Sequence, residues 1–189
     1  MTRWEPGARN RLEQAALELF VERGFEQATV SEITARAGLT ERTFFRHFTD
    51  KREVLFSGQD ELQAFLVDTV IQAPASLAPL DAIAKGLQHV AGAVFDSRRA
   101  HAQQRKAVID TVEGLREREL LKLAALSGAI VGALRSRGVA EPTASLTAET
   151  GIIVFKIAFE RWLDPTNNRD LAELIPETLE QLKIVTSSL

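Results

Sequence analysis

Apolar residues recur three and four positions apart along most of this chain, and nowhere do apolar and polar residues alternate over a run of β-branched side chains. The first spacing belongs to a helix with one buried face, the second to a half-buried strand, so the pattern predicts an all-α protein. Leu12, Ala16, Leu19 and Phe20 share one face of a helix from Ala8 to Arg23, which Gly24 closes. Thr29-Val30-Ser31-Glu32 has the form of a capping box, in which the Thr hydroxyl accepts the N–H three residues on and the Glu carboxylate accepts the N–H of the Thr, so a second helix opens at Val30. It ends at Ala37-Gly38. Thr40 caps a third helix, Glu41 to Phe48, and Asp50-Lys51-Arg52-Glu53 repeats the box at the start of a fourth.

That fourth helix is expected to run over 51–72, a rod connecting two halves, because Pro74 and Pro79 stand in an aperiodic segment beyond it. Further helices are expected near 80–95, 98–113, 116–137, 142–163 and 169–186. Pro142 suits a first helical turn, whereas Pro176 lies inside the last pattern and predicts a kink or break.

Composition narrows the function. With 189 residues, 45% of them hydrophobic, the chain can fill one good core or two small ones. It has no Cys, which removes disulfides, thiolate metal ligands and thiol catalysis together. The start carries no apolar targeting segment, and Leu123 to Leu134, the most apolar stretch, is too short to span a bilayer, so a cytoplasmic protein without a membrane partner is expected. The net charge of −3 is not that of a chain that coats nucleic acid without specificity. Residues 1–56 carry nine Lys+Arg against nine Asp+Glu, so an anionic partner remains open to this segment if its cations share a face.

Catalytic signatures are missing. No two glycines stand two or five apart, which excludes the dinucleotide and phosphate-loop fingerprints, and there is no HExxH and no GxSxG. The three histidines fall on different predicted helices, so neither a catalytic constellation, a metal site nor a cofactor is expected. The segment Phe25 to Leu55, by contrast, has the form of helix, glycine turn, helix. Ile33, Ala37, Leu39, Phe44 and Phe48 make its small core. Thr40, Arg42, Thr43, Phe45, Arg46 and His47 are left outside, offering groups of the kinds that reach base edges and phosphates in a major groove, and Lys51 stands at the next helix start.

The run Gly38-Leu39-Thr40-Glu41-Arg42-Thr43-Phe44-Phe45-Arg46-His47-Phe48-Thr49-Asp50-Lys51, preceded by Ala15-Ala16-Leu17-Glu18-Leu19-Phe20 and Arg23-Gly24-Phe25, resembles the head of the TetR family of transcriptional regulators. The resemblance implies an all-α homodimer of about nine helices per subunit, with a three-helix helix-turn-helix head at 1–50 and a ligand-binding and dimerisation body at 51–189. Its implied partners are a double-stranded, palindromic DNA operator and an unidentified small-molecule effector, with repression as the family default. It points to Thr29, Thr40, Arg42, Thr43, Phe45, Arg46, His47 and Lys51 as DNA contacts. The family often has Tyr where this chain has Phe45, so a phenolic hydroxyl that would meet a phosphate is missing and apolar contact remains. The rival readings are a helical ligand carrier or interaction protein with a vestigial head, and a small-molecule enzyme. The cations kept on the third helix favour DNA binding over the first.

Beyond residue 56 the resemblance concerns architecture alone. An effector cavity would lie among the middle helices, where Phe65, Gln88, His89 and Phe95 are joined by Val108, Ile109, Val112 and Leu126 as apolar walls with a few polar groups. The last two helices have the composition of a subunit interface. On one of them Leu146, Ile153, Val154, Ile157, Ala158 and Trp162 are apolar, and on the other Leu171, Leu174, Leu179 and Leu182.

Overall fold

The structure is a computed structural model and describes residues 7–187. Among these residues there are nine α-helices and no strand. The helices are α1 Ala8–Arg23, α2 Val30–Ala37, α3 Glu41–His47, α4 Gln59–Gln72, α5 Pro79–Val90, α6 Arg99–Thr111, α7 Glu113–Ser136, α8 Thr143–Leu163 and α9 Leu171–Ser187.

The expected rod over 51–72 is broken. Lys51 and Arg52 lie in a turn, Glu53–Phe56 forms one 3-10 turn, and α4 begins only at Gln59, after Gly58 has turned the chain at φ 78°. Asp50 does accept the N–H groups of Arg52 and Glu53, at 2.7 and 3.1 Å, but the Glu53 carboxylate pairs with Arg118 and does not return to close the box. The helix expected to reach residue 95 leaves α geometry at Val90, widening into a π turn over Ala91–Phe95 and tightening into a 3-10 turn over Asp96–Arg98. The Asp96 carboxylate then accepts the N–H of Leu171 at 2.8 Å, capping α9. Pro142 precedes α8 as its cap residue and stands outside the first turn.

Pro176 neither breaks nor ends α9. A proline at this position leaves the carbonyl four residues earlier without its helical donor. That carbonyl belongs to Ala172, and the Gln88 side-chain amide donates to it at 3.2 Å. A side chain of α5 thus supplies the bond that the α9 backbone cannot make.

The chain forms two compact units. One comprises the described residues up to Gln59 together with Gln103–Glu119, the other Asp60–Ala102 together with the described residues from Leu120. The head therefore extends past the boundary expected at residue 50 and takes in the end of α6 and the start of α7. Its core packs Leu12, Leu19, Phe20, Ile33, Phe44 and Phe56 with Ile109 and Leu115. Within it Arg105 donates to the Leu55 carbonyl at 2.5 Å and pairs with Glu119 at 3.3 Å, and its burial lowers the guanidinium pKa against the opposing pull of Glu119. The second unit closes around Ile83, Ile130, Leu134, Ala148, Trp162 and Ile175. There α8 approaches α5 so closely that a Cβ on Gly151 would lie 2.7 Å from Ile83 Cγ2.

Candidate nucleic-acid interface

The two helices that present the site are set by their caps. Thr29 accepts the Glu32 N–H at 3.2 Å while Glu32 accepts the Thr29 N–H at 3.0 Å, so the expected box forms in full. Gly38 takes the left-handed conformation, φ 64° and ψ 38°, and lets Leu39 N–H return to the Thr34 carbonyl at 2.9 Å, a tight exit from α2 that a side chain would strain. Thr40 accepts the Thr43 N–H at 3.2 Å and shares a 3.0 Å bond with its hydroxyl, which starts α3. Phe44 is fully buried and Phe48 nearly so, which fixes the inward face of α3. Arg42, Phe45, Arg46 and His47 are exposed on it. Thr40, Arg42, Thr43, Phe45 and Arg46 line an open depression of about 460 Å³, and the His47 ring leans toward Phe48 on the flank, 6.3 Å between centroids.

The head's charges sort by position. Arg36 grips Glu22 through two bonds of 2.7 Å, linking α2 to α1, and Arg23 pairs with Glu32 at 2.7 Å in the opposite sense. Hydrogen bonding from Arg36 holds the Glu22 carboxyl below its ordinary range, and the Thr29 bonds, aided by Arg23, do the same for Glu32. Arg52 pairs with Asp50 at 3.2 Å. Among the described residues Arg42 and Arg46 have no carboxylate or carbonyl partner.

Lys51 does not fit the expected role. Its ammonium donates to the carbonyls of Phe25, Glu26 and Ala28 at 2.8, 3.2 and 3.2 Å and stands 4.4 Å from the centre of the Phe25 ring. An ammonium has three N–H donors, and all three are engaged in holding the loop between α1 and α2. The expectation of a phosphate contact here is corrected to a clamp on that loop.

The eight effector candidates do not come together. Val108 and Ile109 are buried in the head's core with Val112 against it, because α6 past Ala102 belongs to that unit. Gln88 is engaged with Ala172, Leu126 packs on the body's core, and Phe65 and His89 form an exposed edge-on pair with centroids 5.2 Å apart. Phe95 instead joins Phe159, Trp162 and Phe155 at 5.7, 6.2 and 6.4 Å. The reading of the sequence missed Phe155 and Phe159, although their spacing of four was visible.

The interface candidates divide in the same way. Val154, Ala158, Trp162, Leu171, Leu174 and Leu179 are buried in the body's own core, and Leu182 packs against it, so these seven are corrected to core positions. Leu146, Ile153 and Ile157 remain 66, 48 and 46% exposed along one face of α8. Ile184 and Val185 on α9 are exposed as well and were missed.

Within the head, a helix-turn-helix presents an exposed helix whose two arginines lack a carboxylate partner among the described residues, an arrangement able to offer cations to a major groove. Residues 13–57 match the bacterial regulatory proteins of the tetR family. It is 38% identical over 89 residues to the HTH-type transcriptional regulator TcmR of Streptomyces glaucescens, a match covering 47% of this chain and 39% of that one. The matched stretch thus spans well under half of this curated relative. The fold is similar to that of FadR of Thermus thermophilus, a TetR-family transcriptional repressor in complex with lauroyl-CoA (25% identity, 92% of each chain, TM-score 0.54). It is similar also to SmeT in complex with triclosan (18% identity, 93% of this chain and 91% of that one, TM-score 0.65). Among the described residues no helix is long and apolar enough to cross a membrane.

Proposed function

We propose that this chain is a dimeric repressor that grips an inverted-repeat operator through α3 of each head and releases it when a small apolar effector occupies the body. The observation that carries the reading is the pair Arg42 and Arg46, exposed on α3 with no carboxylate or carbonyl partner among the described residues, while Arg23, Arg36 and Arg52 are neutralised by carboxylates. An unpaired arginine can meet guanine O6 and N7 or a phosphate without first breaking a bond within the protein. Support for the effector comes from relatives that bind lauroyl-CoA and triclosan, and from a body core of aliphatic and aromatic side chains. Support for the dimer comes from Leu146, Ile153 and Ile157, an apolar face wanting a partner of roughly 800 Å² per subunit.

The test is selection of random duplex DNA by the purified protein, followed by titration against salt. An inverted repeat with half-sites one or more helical turns apart is expected. Arg42→Ala and Arg46→Ala should each lower affinity by about 1 to 3 kcal/mol and relax a base position where the arginine reads guanine. If no sequence is enriched, the head is a vestige and the protein a helical carrier. Sedimentation of Ile157→Glu should show half the wild-type mass with unchanged helicity; a wild-type mass would place the interface elsewhere.

A further inference from the structure

Phe45 is 55% exposed, the one large apolar side chain on a face otherwise built of arginines and hydroxyls. Its ring stands edge-on against the buried Phe44, 5.4 Å between centroids at 81°, so one edge rests on the core while the rest faces solvent. It lines the same open depression as Arg42 and Arg46. Three residues from Arg42 along a helix rising about 1.5 Å per residue, it is displaced by roughly one base step of 3.4 Å. An apolar ring gains nothing from a phosphate oxygen, and the chain contains no Tyr that could put a hydroxyl there. The major groove presents a single apolar group, the 5-methyl of thymine.

We infer that Phe45 is a specificity-determining residue that reads a thymine methyl group, so that each operator half-site carries thymine within one or two steps of the guanine met by Arg42 or Arg46. The inference rests on the DNA-binding reading given above. The unpaired arginines bring the helix to the groove, and the ring then covers the methyl that other base pairs lack. Thr43, half-buried and on the other side of Arg46, leaves that flank polar.

The experiment uses the duplex selected by the full-length protein and replaces its thymines, one at a time, by deoxyuridine, which differs only in lacking the methyl. At one position per half-site wild-type affinity should fall about fourfold, the worth of one methyl group removed from water. Phe45→Ala should bind the thymine and deoxyuridine duplexes alike, while Phe45→Leu retains part of the difference. Both variants should melt as the wild type does, since the ring is largely outside the core. Overturning results are a wild-type protein indifferent to deoxyuridine at every position, a thymine preference that survives in Phe45→Ala, or a half-site without thymine near the guanine. Failure to select any duplex refutes the DNA-binding reading, and this inference with it, so the two failures are distinguishable.

Discussion

Replacing Gln88 by Met removes the side-chain donor to the Ala172 carbonyl left open by Pro176, while keeping the length and most of the apolar surface of the side chain. The bond is partly buried, 84 residues apart in sequence, and joins α5 to α9. A carbonyl deprived of a neutral donor in such a place costs about 1 to 2 kcal/mol. A double-mutant cycle isolates that contribution. Pro176→Ala returns a backbone N–H to the helix, so in that background the Ala172 carbonyl is satisfied from within α9, and Gln88→Met should cost about 0.5 kcal/mol or less. The coupling is therefore about 1 kcal/mol. The assay is urea unfolding in a Trp4→Phe background, which leaves Trp162, buried in the body, as the sole tryptophan reporting that unit. Equal costs of Gln88→Met with Pro and with Ala at 176 would refute the reasoning.

Lys51→Met should destabilise the head by about 2 to 3 kcal/mol, the net loss of three charged hydrogen bonds in a half-exposed place, and speed amide exchange over residues 25–28; unchanged exchange with DNA affinity lowered for all sequences would restore its role as a phosphate contact. Gly151→Ala should destabilise the body by about 1 to 2 kcal/mol, because the new methyl meets stiff, β-branched Ile83 and the clash exceeds the helix-propensity gain. Gly86→Ala should cost less, since the one short contact of its methyl is with the terminal Cδ1 of Leu66, which can rotate, and Val70 Cγ2 and the Leu66 carbonyl lie at ordinary contact distance; thermal melting of the two variants decides the order. The Glu22 pKa is depressed in the folded head, so its pairing with Arg36 contributes stability above the ordinary value of 4.5 and loses it as pH falls through the folded value. Melting of Glu22→Gln should accordingly fall below wild type at pH 6, with the gap narrowing as pH is lowered below 4.5, and a gap independent of pH would refute that.

What the sequence made legible was short in range. The caps at Thr29 and Thr40 and the bend at Gly38 involve partners within five residues, and each was found where expected, as were the inward Phe44 and Phe48, whose spacing of four marks one face of α3. Lys51 was misread because its acceptors lie 23 to 26 residues upstream, and Glu53 because Arg118, 65 residues away, takes the carboxylate that the box needed. On α8 the periodicity gave a helix but not its inward direction, for two apolar faces compete. The small residues Ala144, Ala148 and Gly151 were the available signal, since close approach to α5 and α9 requires them, and they turn Leu146, Ile153 and Ile157 outward. The effector candidates failed for a related reason. Helical spacing cannot tell that α6 changes units after Ala102.

The neutral count of residues 1–56, nine charges of each sign, leaves an anionic partner open only if the cations share a face. Position decides whether they do. Exposed ion pairs such as Arg36 with Glu22 and Arg23 with Glu32 contribute little to stability, typically below about 1 kcal/mol each. Their consequence is spatial. Each carboxylate is matched by an arginine fixed on its own part of the head, and both act to set α1 against α2, so these charges largely cancel at a distance beyond a Debye length of about 10 Å. Arg42 and Arg46 have no such counter-charge, and on α3 they outnumber its one carboxylate, the exposed Glu41 of the first turn, so the helix presents net positive charge. A head of zero net charge can therefore approach a polyanion by one face only, which favours an oriented grip by α3 over indiscriminate coating.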